Sequence, residues 1–344
     1  MELFCREARK PSMSDASPFN YFIQPDPDQL LRVSVGLGFR RAVLRHIYSI
    51  LRGKDLETEQ FSDERRTEQF KVLKESQAYV LDIQNWAEFL KVLIRAGYRS
   101  NSMITSKIGL MYCYTMFLIG KRDYKIDHFV LRNLIARWFF ATSLTGRYTG
   151  SPESTMEADL AKLRTIETDK EFIEMLDNII RDTLTEDFWN ITLPNNLATS
   201  AARSPSLFAY HASLNLLDAI VLFSNLKISE LLDPSLKAKK SHLERHHLFA
   251  KNYLKKDHTV DIKNINQIAN FAFVEWQDNI DISDASPAEY APEYLERLKE
   301  EKDRMYYWHA LPEKWEKMDY QTFLTQRQKL IARVIRDGFQ KLII

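Results

Sequence analysis

Long runs in which apolar residues recur every three or four positions dominate this chain, and they leave room for little but helices. Across the stretch 62–95, Phe70, Leu73, Tyr79, Val80, Ile83, Trp86, Phe89, Leu90 and Leu93 keep the 3.6-residue period of an amphipathic helix, and Gly97 closes it. Ala42, Val43, Leu44, Ile47 and Leu51 do the same up to Gly53. Further helices are predicted at 103–119, 126–145, 169–183 and 206–225, and again at 319–342 through Phe323, Leu324, Leu330, Ile331, Val334, Ile335, Phe339 and Leu342. Only 9 glycines and 11 prolines punctuate 344 residues, too few for a many-turned β protein.

Elsewhere the texture differs. Residues 1–28 carry proline, asparagine and aspartate punctuation and are expected to form an extended arm. Leu30, Leu31, Val33, Val35 and Leu37 alternate. Gly146 and Gly150 frame a loop. After it, Ser151 and Pro152 are a cap and a first helical residue, with Ser154 and Glu157 as an alternative capping box. Trp138, Phe139 and Phe140 are expected in the core. Past Asn225 the apolar pieces shorten, ANFAFVEW (269–276) is β-prone, and QDNIDISD suits a short helix. The expected organisation is mainly α: an arm over 1–28, a helical domain over 29–225, a small mixed module over 226–290, and C-terminal helices over 291–344 that pack on the scaffold.

Net charge of +1 gives no global argument for nucleic acid, so any such signal is local. Cys5 and Cys113 are the two cysteines, which offers no disulfide framework. The N-terminus has no apolar signal core, and the longest apolar run, Ile108 to Gly120, is too short to span a bilayer. A cytoplasmic protein without a membrane segment is expected.

Chemistry concentrates in 241–290. Four of the eight histidines lie there, at His242, His246, His247 and His258. Residues 237–264 hold eight Lys or Arg against three Asp or Glu, which favours a phosphate-bearing partner. Neutral imidazole can bind a metal or take a proton from water near neutral pH. Neighbours on a strand point to opposite faces, so His246 and His247 reach one site only where the strand ends or bulges. His242 and His258 are expected to be solvated, as are Asp278, Asp281 and Asp284.

The segments RHHLFAKNYL (245–254) and INQIANFAFVEWQDNIDISDASPAEY (265–290) resemble the HNH, or His-Me finger, nuclease module, in the version found at the C-terminus of GmrSD-type restriction endonucleases. The upstream RWFFATSLTGRYTGSPESTMEADL (137–160) resembles the helical region preceding that module. The resemblance implies a small ββα-metal module embedded in the helical scaffold. It implies His247 as general base, Asn270 as the residue fixing the base or its loop, and one divalent ion on His246 and Asn279. A histidine ligand admits Mn²⁺, Ni²⁺ or Zn²⁺ beside Mg²⁺. Asn279 has a capping role as its alternative.

Arg245, Lys251, Lys255, Lys256 and Arg147 are the candidate contacts with DNA; the alternatives are a strand-face pair of Arg245 with Glu244, a solvated loop for the lysines, and a merely turning loop for Arg147. Family members usually carry a nucleotide-dependent domain with a DGQQR-like motif. Neither that motif nor a GxxxxGK[ST] loop occurs here, so no nucleotide site is expected in this chain. A nucleotide-dependent N-terminal domain or partner subunit is implied instead. The implied activity is cleavage of foreign or modified (phage) DNA. A DNA-binding adaptor with a degenerate site and an HNH-type RNase are the alternatives.

Overall fold

The structure, a computed structural model, describes residues 1–8, 23–54, 58, 60–232, 243–255, 261–298 and 301–343. His242, Lys256 and His258 lie outside the described residues. The chain is mainly helical, with a two-stranded antiparallel sheet among the described residues. It gathers into two compact units, residues 1–96 with 104–182, and residues 97–103 with 183–344. The helices from 183 onward thus belong with the strands and the C-terminal helices, where the sequence reading divided the chain at 225.

In the first unit a short helix, Glu2–Glu7, stands where an extended arm was expected. Helix α1 (Pro27–Phe39) corrects the alternating reading of 30–37. Leu30, Val33 and Leu37 share one helical stripe, and Val35 is buried as well because α1 is covered on two sides. A Cβ on Gly36 would lie 2.8 Å from the Thr115 methyl, so this glycine lets α1 approach its neighbour closely. Helix α2 (Leu44–Leu51) follows. The stretch 62–95 is two helices, not one: α3 (Asp63–Val80), with Ser62 accepting from the Arg65 amide, and α4 (Ile83–Arg95). The Asp82 carboxylate accepts from the Gln84 N–H at 2.8 Å and starts the second helix.

Helix α5 (Lys107–Arg122) is buried on every face from Leu110 to Gly120, as the apolar run predicts. It packs on α6 (His128–Thr145), which Asp127 caps, and α7 (Pro152–Lys162) and α8 (Asp169–Thr183) complete the unit. Trp138, Phe139 and Phe140 are buried. Ser151 precedes α7, but its side chain makes no capping bond. Glu157, the other half of the alternative box, instead accepts from the Ala42 and Val43 amides and from Arg41. No helix among the described residues is long and apolar enough to cross a membrane.

The second unit is built on α9 (Pro205–Leu216) and the C-terminal helix. The helix expected over 206–225 stops at Leu216, and Asp218 and Phe223 take positive φ in the turns that follow. Strands β1 (Leu243–His247) and β2 (Phe271–Glu275) pair antiparallel, with Leu243 opposite Glu275, His246 opposite Ala272 and His247 opposite Phe271. Helix α10 (Trp276–Ile282) follows β2 directly and packs on both strands. Helix α11 (Pro287–Leu298), a shorter helix Lys302–Trp308 and α12 (Tyr320–Gln340) end the chain. A Cβ on Gly338 would lie 2.4 Å from the Ser213 Cβ, so α9 and α12 touch almost backbone to backbone there.

Candidate functional site

Strand alternation puts Arg245 and His247 on one face of the sheet and His246 on the other. The pairing explains their neighbours. His247 packs at 4.3 Å against Phe271, its partner in register, with the rings tilted by 46°, and the Arg245 guanidinium lies 5.4 Å over the same ring. His246 is 3% exposed and meets Tyr290 nearly at right angles. The two adjacent imidazoles therefore take different partners.

His246 faces Asn279, 33 residues on, with Nδ1 and Oδ1 2.9 Å apart. Helix α10 supplies that asparagine because it starts at the end of β2 and turns back across the strands. An amide oxygen opposite Nδ1 leaves the ring proton on Nδ1. The other nitrogen, Nε2, is buried with no described partner. Burial pushes the His246 pKa down to about 4, against a smaller upward effect of Asn279, with His247 lowering it further. The ring is thus neutral at physiological pH, as a ligand must be.

Two neighbouring donors on an octahedrally coordinated ion, at about 2.0–2.1 Å each, stand about 3 Å apart. His246 Nδ1 and Asn279 Oδ1 fit that spacing. With Nδ1 used as a ligand, the ring proton would sit on Nε2, the atom that lacks a partner. Among the described residues no group of three or more His, Cys, Asp or Glu side chains could hold a metal. An ion on this pair would complete its shell with water and substrate oxygens.

His247 ends β1 and is half-buried. Its Nε2 lies 3.0 Å from Asn266 Oδ1, so Nε2 carries the proton and Nδ1 holds the lone pair. Asn266 was not singled out from the sequence, because nothing distinguishes it in the run KNINQIAN. Burial lowers the His247 pKa, Asn266 raises it, and the charges of Lys251 and Arg245 lower it. Those two cations are therefore near enough to be felt.

Asn270 ends a 3₁₀ turn, Ile268–Asn270, one residue before β2. It is fully buried and its amide is saturated. Oδ1 accepts from the Phe249 N–H at 2.9 Å, and Nδ2 donates to the Phe249 and Ile265 carbonyls, both at 3.0 Å. Its own carbonyl accepts from the Leu248 N–H at 2.8 Å. This one side chain fixes the turn that follows His247. The Tyr290 hydroxyl donates to the Leu248 carbonyl at 2.7 Å, which gives the tyrosine of SPAEY a place in the same turn.

Arg327 of α12 was missed in the sequence and braces the other side. It is fully buried and has no carboxylate partner among the described residues. Its guanidinium donates to the carbonyls of Ala269 (2.6 Å), Phe271 (2.8 Å) and His309 (3.1 and 3.0 Å). Ala269 and Phe271 flank Asn270.

The remaining candidates are spread out. Lys251 and Lys255 are exposed on a short helix just past the turn, which Asn252 ties to Asp284 at 2.8 Å. Arg147 lies in the first unit. Its guanidinium pairs with the buried Asp159 carboxylate, which also accepts from the Tyr148 hydroxyl, and stacks over Trp138. That ion pair accounts for Arg147 without DNA. Asp278 is mostly buried beside Glu275, and its pKa is raised by burial first.

No protein-family model matches the chain, and no curated protein matches it in sequence.

The buried imidazoles make a pH prediction. His309 is also held near 4, by burial, and its Nε2 donates to the Ile220 carbonyl. An unfolded histidine titrates near 6.5. Between about 6.5 and 4 the unfolded chain binds more protons than the folded one, so stability rises with pH across that window. It is complete above about pH 6.5 and is lost as pH falls toward 4, by up to roughly 3 kcal/mol for each histidine. Urea unfolding followed by tryptophan fluorescence from pH 7.5 to 4 measures it. A midpoint that stays constant over that range rules the account out.

Proposed function

We propose that this chain is a metal-dependent endonuclease of the HNH kind that hydrolyses DNA phosphodiester bonds. The observation that carries the reading is the 2.9 Å approach of His246 Nδ1 to Asn279 Oδ1 within a strand–strand–helix unit. The resemblance names that pair as the metal ligands. Two side chains 33 positions apart meet as that role requires.

His247 would take a proton from the attacking water through Nδ1, since Asn266 engages Nε2. Asn270 and Tyr290 hold the turn behind His247, so the base does not wander. Arg245 and Lys251 place positive charge beside the base, where a phosphodiester would dock. A divalent ion on His246 and Asn279 would supply charge for the scissile phosphate and the leaving oxygen. In this reading the substrate is foreign or modified DNA, and a nucleotide-dependent domain or subunit acts with this chain.

One observation favours a second reading. His246 Nδ1 and Asn279 Oδ1 satisfy each other, and the imidazole is almost fully enclosed, as a closed site in a DNA-binding adaptor would be. Supercoiled plasmid incubated separately with Mg²⁺, Mn²⁺, Ni²⁺ and Zn²⁺ decides between them. Nicking or linearisation with at least one ion, abolished by EDTA, is expected. Binding without cleavage in every metal would establish the adaptor. Cleavage of RNA with duplex DNA untouched would establish an RNase.

A further inference from the structure

The second unit holds a half-open cavity of about 540 Å³ that the candidate site does not use. One wall is α12, through Lys329, Arg333 and Arg336. The other is the π-helical turn Phe188–Thr192 with the short helix after it, through Trp189, Asn190 and Pro194. Lys329, Arg333 and Arg336 are spaced by four and three residues, so they line one face of the helix. Glu186 binds Arg336 with both carboxylate oxygens, and the Asp337 carboxylate is held by the Tyr307 hydroxyl at 2.8 Å. Lys329 and Arg333 are exposed and make no ion pair with a described residue. Like charges four apart on a helix repel, and a bound anion removes that repulsion.

Both walls lead to the candidate site. Along α12, Gln328 bonds Gln267 at 3.0 Å and Arg327 bonds the carbonyls beside Asn270, one turn or less before the cations begin. Beyond Leu197 on the other wall, the Thr199 carbonyl accepts from the Ile268 N–H at 2.9 Å, two residues from Asn270. The cavity and the turn that fixes His247 are therefore two ends of one framework. From Arg327 to Arg333 the helix advances about 9 Å.

We infer that this cavity takes the phosphate backbone of the nucleic acid whose bond is cut at His247, with Lys329 and Arg333 as the phosphate contacts. The inference rests on the nuclease reading for the identity of the ligand.

The test measures binding without cleavage. Full-length chain carrying His247→Ala is titrated onto a fluorescein-labelled duplex over a range of salt concentrations. Adding Lys329→Glu and Arg333→Glu is expected to weaken binding by about tenfold or more and to reduce the salt slope by about 2. Lys71→Glu with Lys74→Glu, on an exposed face of α3, should change neither. Should the charge reversal fail to fold, Lys329→Gln with Arg333→Gln carries the same prediction at reduced size. Unchanged affinity and slope would overturn the inference, as would a chain that binds no duplex. So would a result in which ATP binds and the reversal abolishes that binding while the duplex is unaffected. Duplex binding that depends on these two cations in a chain that does not cut with any of the metals sinks the nuclease reading and keeps the cavity as a site for a nucleic-acid backbone. Cleavage with binding insensitive to the reversal does the opposite.

Discussion

His247→Ala is expected to lower metal-dependent DNA cleavage by about 10²- to 10⁴-fold while leaving duplex affinity unchanged. The imidazole is half-buried at the end of β1, with a lone pair on Nδ1 and an orientation fixed by its neighbours. Asn266 takes Nε2, and Phe271 supports the ring from below. A base must be unprotonated to act. Burial, Lys251 and Arg245 lower its pKa, outweighing the upward effect of Asn266. The acid limb of the pH–rate profile should therefore fall below the ordinary histidine value of about 6.5. Asn266→Ala removes both the tautomer lock and the upward effect. It should move that limb to still lower pH and reduce the rate less than His247→Ala does. Initial rates of plasmid nicking from pH 5 to 8 test both. Equal nicking by His247→Ala would show that another group activates the water.

Much of the geometry at the candidate site could be read from one sequence because it is tied to residue type. An asparagine that must bond both the N–H and the C=O of one residue cannot be replaced by an aliphatic residue of similar size, and Asn270 does this at Phe249. Asn279 sits where a helix begun at Trp276 returns to β1, a distance the short β2 strand and the helical period determine together. Asn266 was invisible for the converse reason. Its position follows from how 261–270 folds back, which has no period. Arg147 falls in a glycine-framed loop, and only packing reveals Asp159 buried beside it.

The helices were legible where one face alone is buried, as in α4, or where an apolar run is unbroken, as in α5. They were misread where neither holds. In α1 burial on two sides masks the period, and Gly36 and Gly38, which look like breakers, instead admit Thr115 and Ser76. The break between α3 and α4 interrupts no apolar pattern. It shows only in Asp82, a cap that looks like any other surface aspartate. The division of the chain depends on α12 lying along α9, a contact between residues more than a hundred positions apart, which no local pattern encodes.

Arg327→Met should destabilise the second unit by roughly 2–5 kcal/mol. The sequence signal was present but easily passed over. Arg327 falls on the buried stripe of α12, between Leu324 and Ile331, where the period calls for an apolar residue. Burying a cation without a counter-charge is unfavourable in itself, and methionine would relieve that cost. The loss comes from what the guanidinium leaves behind. The carbonyls of Ala269, Phe271 and His309 lose their donor in a region closed to water. A buried acceptor without a partner costs about 1–3 kcal/mol. Three of them outweigh the relief.

Arg327→Lys keeps the charge but concentrates its donors at one point, so it cannot span carbonyls on two separate segments, and it should recover less than half of the loss. Urea midpoints followed through the buried Trp308 and Trp315 give the magnitude. Amide exchange at Phe249 tests the functional consequence. Its N–H is protected by Asn270, whose neighbours on both sides are held by Arg327, so exchange there should accelerate before the unit unfolds. A methionine variant with the wild-type midpoint and wild-type exchange would mean that Asn270 holds the turn behind His247 unaided.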